Sequence, residues 1–320
     1  MLKELSIEIT RKCSSNCIYC SSLSDDKCSE ILEYERFISV VKDAADLGAQ
    51  TISLSGGEPF LHPRIVDIIA YVNSLGLQSF VYTSGIIIDA QNRKKSLDKD
   101  VLEAISGTVT KLIFNIEAAT PEIYDRIMRT NGCFEKMKQS VSDANSFSIT
   151  TEAHFVPMKL NIGEATNTIA LCKELGIARI SFLRLVLHGR ALTHEKELAL
   201  SNEEFIRLKV FLEKAQKNTD INIRIGVPLS SDFSCHKCEA ANGKINIKYD
   251  GKVFPCEVFK NGRLAHQLKG LEPDSVFEDS LLNIYKHSKY LQRVRELSQD
   301  FSCGEHCETC IGQYLINCNK

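Results

Sequence analysis

Short β-branched or apolar runs alternate with helical segments from residue 4 to about residue 185, and this alternation leaves the chain few folds. The runs that read as strands are LSIEIT, TISL, SFVYT, KLIFNI, TTEAHFV and ARISFLRL. Between them, YERFISVVKDAADLG keeps an apolar face at helical spacing and stops at Gly48. HPRIVDIIAYVNSLG has Pro63 near its start and Gly76 at its end. TPEIYDRIMR opens with Thr120 as a cap and a proline at the first helical position, and NIGEATNTIALCKELG ends at Gly176. Alternation of this kind needs crossover helices, hence parallel strands in a sheet or barrel. About six β/α units can be counted, so the expected fold is α/β, a partial (β/α)6 TIM-like barrel short of the full eight-fold one.

Beyond residue 190 the pattern changes. One helix, SNEEFIRLKVFLEKAQKN, is followed by the short run INIRIGVP. Then KINIKYDGKVFPC carries a hairpin signature, with Asp250-Gly251 as the expected two-residue turn. A second helix, SLLNIYKHSKYLQRVREL, precedes a cysteine-dense tail. The expected organisation is a core over 1–200, a connecting helix and strand over 201–230, and a small cysteine-rich domain of hairpin plus helix over 231–320.

Charge and hydropathy narrow the class. A formal net charge of −2 with acids and bases interspersed offers no basic face for nucleic acid. No apolar run approaches membrane-spanning length, and MLKELSIEIT is not a signal peptide. A cytoplasmic protein is expected. Thirteen cysteines are then unusual, because cysteine-rich chains are usually small, secreted and disulfide-bonded. In a reducing compartment, clustered thiols hold metal or do chemistry. Four lie within the first 28 residues and seven between 235 and 318. Cys133 and Cys172 fall between the clusters and read as small buried hydrophobes.

Cys13, Cys17 and Cys20 form a C-x3-C-x2-C motif directly after the first strand. In parallel α/β folds the loops after strand ends carry the active site. Half of a zinc site is one reading of such a motif. Three thiolates on a four-iron cube leave one iron without a protein ligand, and an open position marks a catalytic metal.

CSSNCIYC after a first strand resembles the cluster motif of the radical S-adenosylmethionine (radical SAM) enzymes. The resemblance implies that the open iron is chelated by SAM, and that reduction cleaves SAM to a 5′-deoxyadenosyl radical which takes a hydrogen atom from substrate. Tyr19 matches the family's aromatic before the third cysteine, near the adenine. SLSGGEP, residues 53–59, is similar to the segment that binds the SAM amino group. Gly56 and Gly57 let backbone approach a ligand, and Glu58 offers a carboxylate to an ammonium. FNIEAATPEIYDRI resembles the ribose-contacting segment, with Asn115 and Glu117 at its key positions. VYTSG resembles the third strand end, with Ser84 where Asn is commoner, and FLRLVLHGRA resembles a segment whose Arg184 would meet the SAM carboxylate. The resemblance covers roughly residues 1–200.

The tail runs Cys235-x2-Cys238-x17-Cys256, then Cys303-x3-Cys307-x2-Cys310-x7-Cys318. A structural zinc knuckle has the same ligand chemistry. The pattern resembles the SPASM and twitch extensions of radical SAM enzymes, which carry auxiliary four-iron clusters. By that resemblance Cys238, Cys256, Cys307 and Cys310 hold at least one auxiliary [4Fe–4S] cluster. Cys235, Cys303 and Cys318 remain for a second cluster, although the usual C-x2-C-x5-C-x3-C spacing is absent. If the reaction is epimerisation, a spare thiol at Cys235 or Cys318 is a hydrogen-atom donor. His306 reads as a solvated loop residue.

The same resemblance implies a reductant such as flavodoxin or ferredoxin and a peptide or small-molecule substrate. Modification of a ribosomally made peptide is favoured, by crosslink, thioether or epimerisation. The chain starts almost at the first barrel strand, so leader recognition is expected from a separate partner or from the barrel mouth. The alternatives are oxidation or epimerisation of a small metabolite such as a sugar, and a non-catalytic iron–sulfur or zinc scaffold. A scaffold has no use for the SGGEP loop.

Overall fold

The structure, a computed structural model, describes residues 1–226, 229, 238–264, 268, 270–300, 310–312 and 315. Among the described residues eleven strands are formed: β1 (Glu4–Thr10), β2 (Thr51–Gly56), β3 (Gln78–Thr83), β4 (Ile86–Ile88), β5 (Lys94–Ser96), β6 (Lys111–Asn115), β7 (Thr151–Phe155), β8 (Arg179–Phe182), β9 (Asn222–Ile225), β10 (Lys244–Ile247) and β11 (Val253–Phe254). Nine of them make one sheet in the order β11-β10-β1-β2-β3-β6-β7-β8-β9, and β4 with β5 form a separate small hairpin. Every pairing from β10 through β1 to β9 is parallel; β10–β11 and the separate β4–β5 hairpin are antiparallel.

The crossovers are helical: α1 (Tyr34–Asp46), α2 (Ile65–Ser74), α3 (Lys99–Ile105), α4 (Pro121–Met128), α5 (Cys133–Ser146) and α6 (Ala165–Glu174). Two single-turn helices follow β8, α7 (Arg190–Thr193) and α8 (Glu195–Leu198), then α9 (Asn202–Lys217) leads into β9. Near the C-terminus α10 (Leu281–His287) and α11 (Lys289–Asp300) complete the described helices. Period-two alternation puts Leu5, Ile7 and Ile9 of β1 into one apolar core with Phe37, Val40, Val41 and Ala44 of α1. Cys133 and Cys172 are fully buried within that core.

The six strands expected from sequence are present as β1, β2, β3, β6, β7 and β8. Two additions extend the sheet. The INIRIGVP run becomes β9 and pairs in parallel with β8. The cysteine-rich region's hairpin pairs with the opposite edge, Glu4 lying against Lys244 and Ile7 against Ile247. The hydrogen-bonded sheet thus runs through all three sequence segments. The hairpin turn also differs from the two-residue one expected. Lys248 and Lys252 pair through a 3.0 Å bond, so the loop is Tyr249-Asp250-Gly251, with Gly251 at φ +79. A three-residue loop needs a left-handed third residue, which is why glycine occupies it.

Candidate active site

The carboxyl ends of β1, β2, β3 and β6 meet at a cavity of 150 Å3. Cys13, Cys17 and Cys20 line it together with Tyr19, Gly56, Gly57, Ser84 and Asn115. A larger hollow of 560 Å3 lies around the end of α4 between Pro121 and Asn131 and contains no cysteine.

The cysteine loop is pinned along its length by backbone bonds. Arg11 N donates to Glu30 O, Cys13 N to Asp25 O and Ile18 N to Ile127 O. Gly56, which ends β2, and Gly57, which follows it, lie on this loop. Gly57 N donates to Thr10 O at 2.7 Å and Glu58 N to Lys12 O at 2.8 Å. A Cβ on Gly56, which sits at φ +126, would fall 2.2 Å from Thr10 O, and one on Gly57 would fall 2.1 Å from Lys12 O. The glycines are therefore required where two loops share backbone hydrogen bonds, beside the cavity they line.

Three residues expected at the SAM site, Glu58, Glu117 and Arg184, have partners within the protein. Glu58 is fully buried and its carboxylate accepts from Thr83 Oγ1 (2.6 Å), Ser84 N (2.8 Å) and Ser84 Oγ (2.6 Å). Together with a longer bond from Phe60 N at 3.4 Å, these contacts brace the loop after β2 against the end of β3. Burial raises the Glu58 carboxyl despite these bonds. Glu117 is also fully buried and does not line the cavity. It accepts from the Tyr19 hydroxyl (2.7 Å) and from Val156 N (2.8 Å), so it reaches the site through Tyr19. Arg184 does not line the cavity either; its Nη2 donates to Cys310 Sγ at 2.7 Å.

Arg190 lines the cavity and was not singled out from sequence. Its Nε donates to Cys17 O at 2.8 Å, its Nη2 to Ser24 O at 2.7 Å and its backbone N to Cys20 O at 2.9 Å. The preceding Gly189 has φ +56 and packs so close that a Cβ would lie 2.5 Å from Cys20 O. Both belong to the Gly189-Arg190-Ala191 that ends the FLRLVLHGRA segment, which was the available signal.

Burial pushes the Cys13 thiol well up, and Cys17 adds to it; burial and then Cys20 do the same to Cys17. Three thiolates crowded this way repel one another, a conflict that a cationic metal cluster relieves. Among the described residues Ser15 Oγ and Ser24 Oγ are buried without a hydrogen-bond partner, and both serines line the cavity. Such orphaned hydroxyls suit a ligand rich in polar groups. At the second cysteine set, burial and then Cys310 and Cys238 push the Cys256 thiol up to about 12. Cys238, Cys256 and Cys310 are thus gathered within electrostatic reach. Among the described residues, no three His, Cys, Asp or Glu side chains converge as one ion requires, and a four-iron cube spreads its ligands wider. Cys235, Cys303, His306, Cys307 and Cys318 lie outside the described residues.

A family model described as the radical SAM superfamily matches residues 7–198. The chain belongs to the radical SAM superfamily. It is an enzyme that uses SAM and a [4Fe–4S] cluster, which sets aside the scaffold reading. A second model, an iron–sulfur cluster-binding domain of the SPASM type, matches residues 238–311, so this radical SAM enzyme also carries auxiliary iron–sulfur chemistry. It is similar to the PqqA peptide cyclase of Rhizobium meliloti, 28% identical over 95% of this chain and 78% of the relative. It is also similar to the AdoMet-dependent heme synthase of Methanosarcina barkeri, 25% identical over 95% of this chain and 89% of the relative. The SAM-bound crystal structure of Streptococcus suis SuiB superposes with a TM-score of 0.78 at 17% identity, covering 100% of this chain and 75% of that one. SuiB bound to its precursor peptide SuiA gives 0.73 at 16% identity, over 92% and 67% of the two chains. No described helix is long and apolar enough to cross a membrane.

The Glu117 carboxyl carries a pH prediction. Burial pushes it up to about 7, outweighing the bonds from Tyr19 and Val156. A carboxyl raised above its unfolded value of about 4.3 stabilises the fold below that value and loses the contribution as pH rises through the folded one. Stability of the metal-free protein is expected to decline from about pH 4 to about pH 7 through this group. Glu117→Gln should flatten that part of the profile in chemical denaturation; an unchanged slope contradicts the assignment.

Proposed function

We propose that this radical SAM enzyme modifies a ribosomally made peptide by crosslink, thioether or epimerisation. The observation that carries the reading is the alignment of nearly the whole chain with a peptide cyclase. An open sheet, with β9 at one edge and β11 at the other, supports access for an extended substrate.

Cys13, Cys17 and Cys20 would hold the SAM-cleaving cluster, and Cys238, Cys256, Cys307 and Cys310 an auxiliary one. Cys235, Cys303 and Cys318 remain for a second auxiliary cluster or, for Cys235 and Cys318, hydrogen-atom return. When bound, the cluster and SAM supply a 5′-deoxyadenosyl radical. The chain's part is to bind and orient. Gly56, Gly57, Ser84 and Asn115 offer the cavity wall, Tyr19 is fixed by Glu117, and Arg190 holds the cysteine loop closed through Cys17 O, Cys20 O and Ser24 O. A flavodoxin or ferredoxin would deliver the electron in the cytoplasm, and a separate protein would present the peptide leader.

Anaerobically reconstituted protein with dithionite is expected to convert SAM to 5′-deoxyadenosine, and a precursor peptide encoded beside its gene should accelerate this and change in mass or stereochemistry. The second reading, oxidation of a small metabolite, draws support from the heme-synthase relative. Stimulation by a small metabolite and by no such peptide would decide for it. Iron-loaded protein that leaves SAM intact would count against both.

A further inference from the structure

Arg184 follows the last residue of β8 by two positions, at the carboxyl end of the parallel sheet. Arg184 is not among the residues lining the cavity. It meets Cys310, 126 residues on, with Nη2 2.7 Å from Sγ. A guanidinium has donors and no acceptor, so the sulfur must accept. A thiolate accepts far better than a thiol, and a charge-assisted bond is roughly twice as strong as a neutral one. This contact suits a sulfur held as thiolate, which is the state of a metal ligand. Cys310 also interacts electrostatically with Cys238 and Cys256.

Resting on the reading of these cysteines as auxiliary-cluster ligands, we propose that Arg184 is a positioning residue for that cluster. It donates an N–H to the Cys310 thiolate and holds the cluster's reduction potential up. Hydrogen bonds to cluster sulfurs and nearby positive charge stabilise the more negative, reduced state, which raises the potential. The segment from 184 to 190 then straps the two cysteine sites together. Its first arginine grips Cys310, and its last grips the carbonyls of Cys17 and Ser24. The auxiliary site is thereby tuned from the strand end beside the SAM cavity.

The test uses the full chain reconstituted anaerobically, with Cys13, Cys17 and Cys20 changed to Ala so that only auxiliary iron gives a signal. The midpoint potential is followed by EPR during redox titration for Arg184, Arg184→Lys and Arg184→Met. Arg184→Met is expected to move the midpoint to lower potential at unchanged iron content, and Arg184→Lys, which keeps the charge, to move it less. An unchanged midpoint in Arg184→Met overturns the proposal. Should that variant lose iron, Arg184→Lys decides, a midpoint equal to that of the parent overturning it and a lower one supporting it. Absence of auxiliary iron in the parent with Arg184 intact overturns the ligand reading, and the proposal with it.

Discussion

Alanine at any one of Cys13, Cys17 or Cys20 is expected to reduce 5′-deoxyadenosine formation to background while iron in the C-terminal region stays bound. The three side chains line one cavity at the ends of β1 and β2, and among the described residues no other cysteine does. A cube held by three thiolates has no protein ligand to spare, so losing one removes both iron retention and the geometry in which SAM binds. Iron per chain should fall by about four atoms, the content of one cube. Cys28→Ala is the informative control. Cys28 belongs to the same N-terminal set by sequence, yet its thiol lies 3.3 Å from Asp25 Oδ1 and does not line the cavity. That variant should cleave SAM normally. Cleavage that survives in Cys17→Ala, or vanishes in Cys28→Ala, would contradict the assignment.

The cysteine motif was legible because its information is local. Spacing sets the ligand geometry, and the carboxyl end of a parallel strand is where sites form. The direction of the acidic side chains was not local. Glu58 follows two glycines in a family-like segment, which says that the loop is special without saying where the carboxylate points. Its partners, Thr83 and Ser84, come from the next strand, about 25 residues on. Glu117 turns to Tyr19, 98 residues earlier in the chain. The two arginines show the same limit. Arg184 and Arg190 sit in one stretch of ten residues, FLRLVLHGRA, and the turn at Gly189, with positive φ, is what folds Arg190 back onto the cysteine loop. Likewise, alternation in KINIKYDGKVF announces a hairpin, but its parallel docking on β1 depends on residues some 240 positions away.

Lys260→Met is expected to destabilise the protein by about 3–5 kcal/mol, the cost of leaving a buried charge without its partner. Lys260 Nζ sits 2.6 Å from Glu8 Oε1 and 2.7 Å from Glu257 Oε2, and the Lys260 and Glu8 side chains are 1% and 2% exposed. Burial alone would lower the ammonium's pKa; Glu257 and Glu8 outweigh it, so the net shift is upward. A lysine raised in the folded state loses its contribution only at alkaline pH, so the pair persists through neutrality. Removing the cation leaves Glu8 with Ser22 Oγ as its donor, and Glu8 Oε2 already has no partner among the described residues. Glu8→Gln combined with Lys260→Met should recover part of the loss, because a neutral pair no longer buries an uncompensated charge. The consequence extends to the site. Glu8 lies in β1, Ser22 in the cysteine loop and Lys260 four residues after Cys256. One carboxylate therefore ties the SAM-side loop to the auxiliary region, and Lys260→Met should make the C-terminal region more sensitive to protease as well as lowering the thermal midpoint. A wild-type midpoint in Lys260→Met would mean that packing, and not this buried pair, holds the hairpin region against β1.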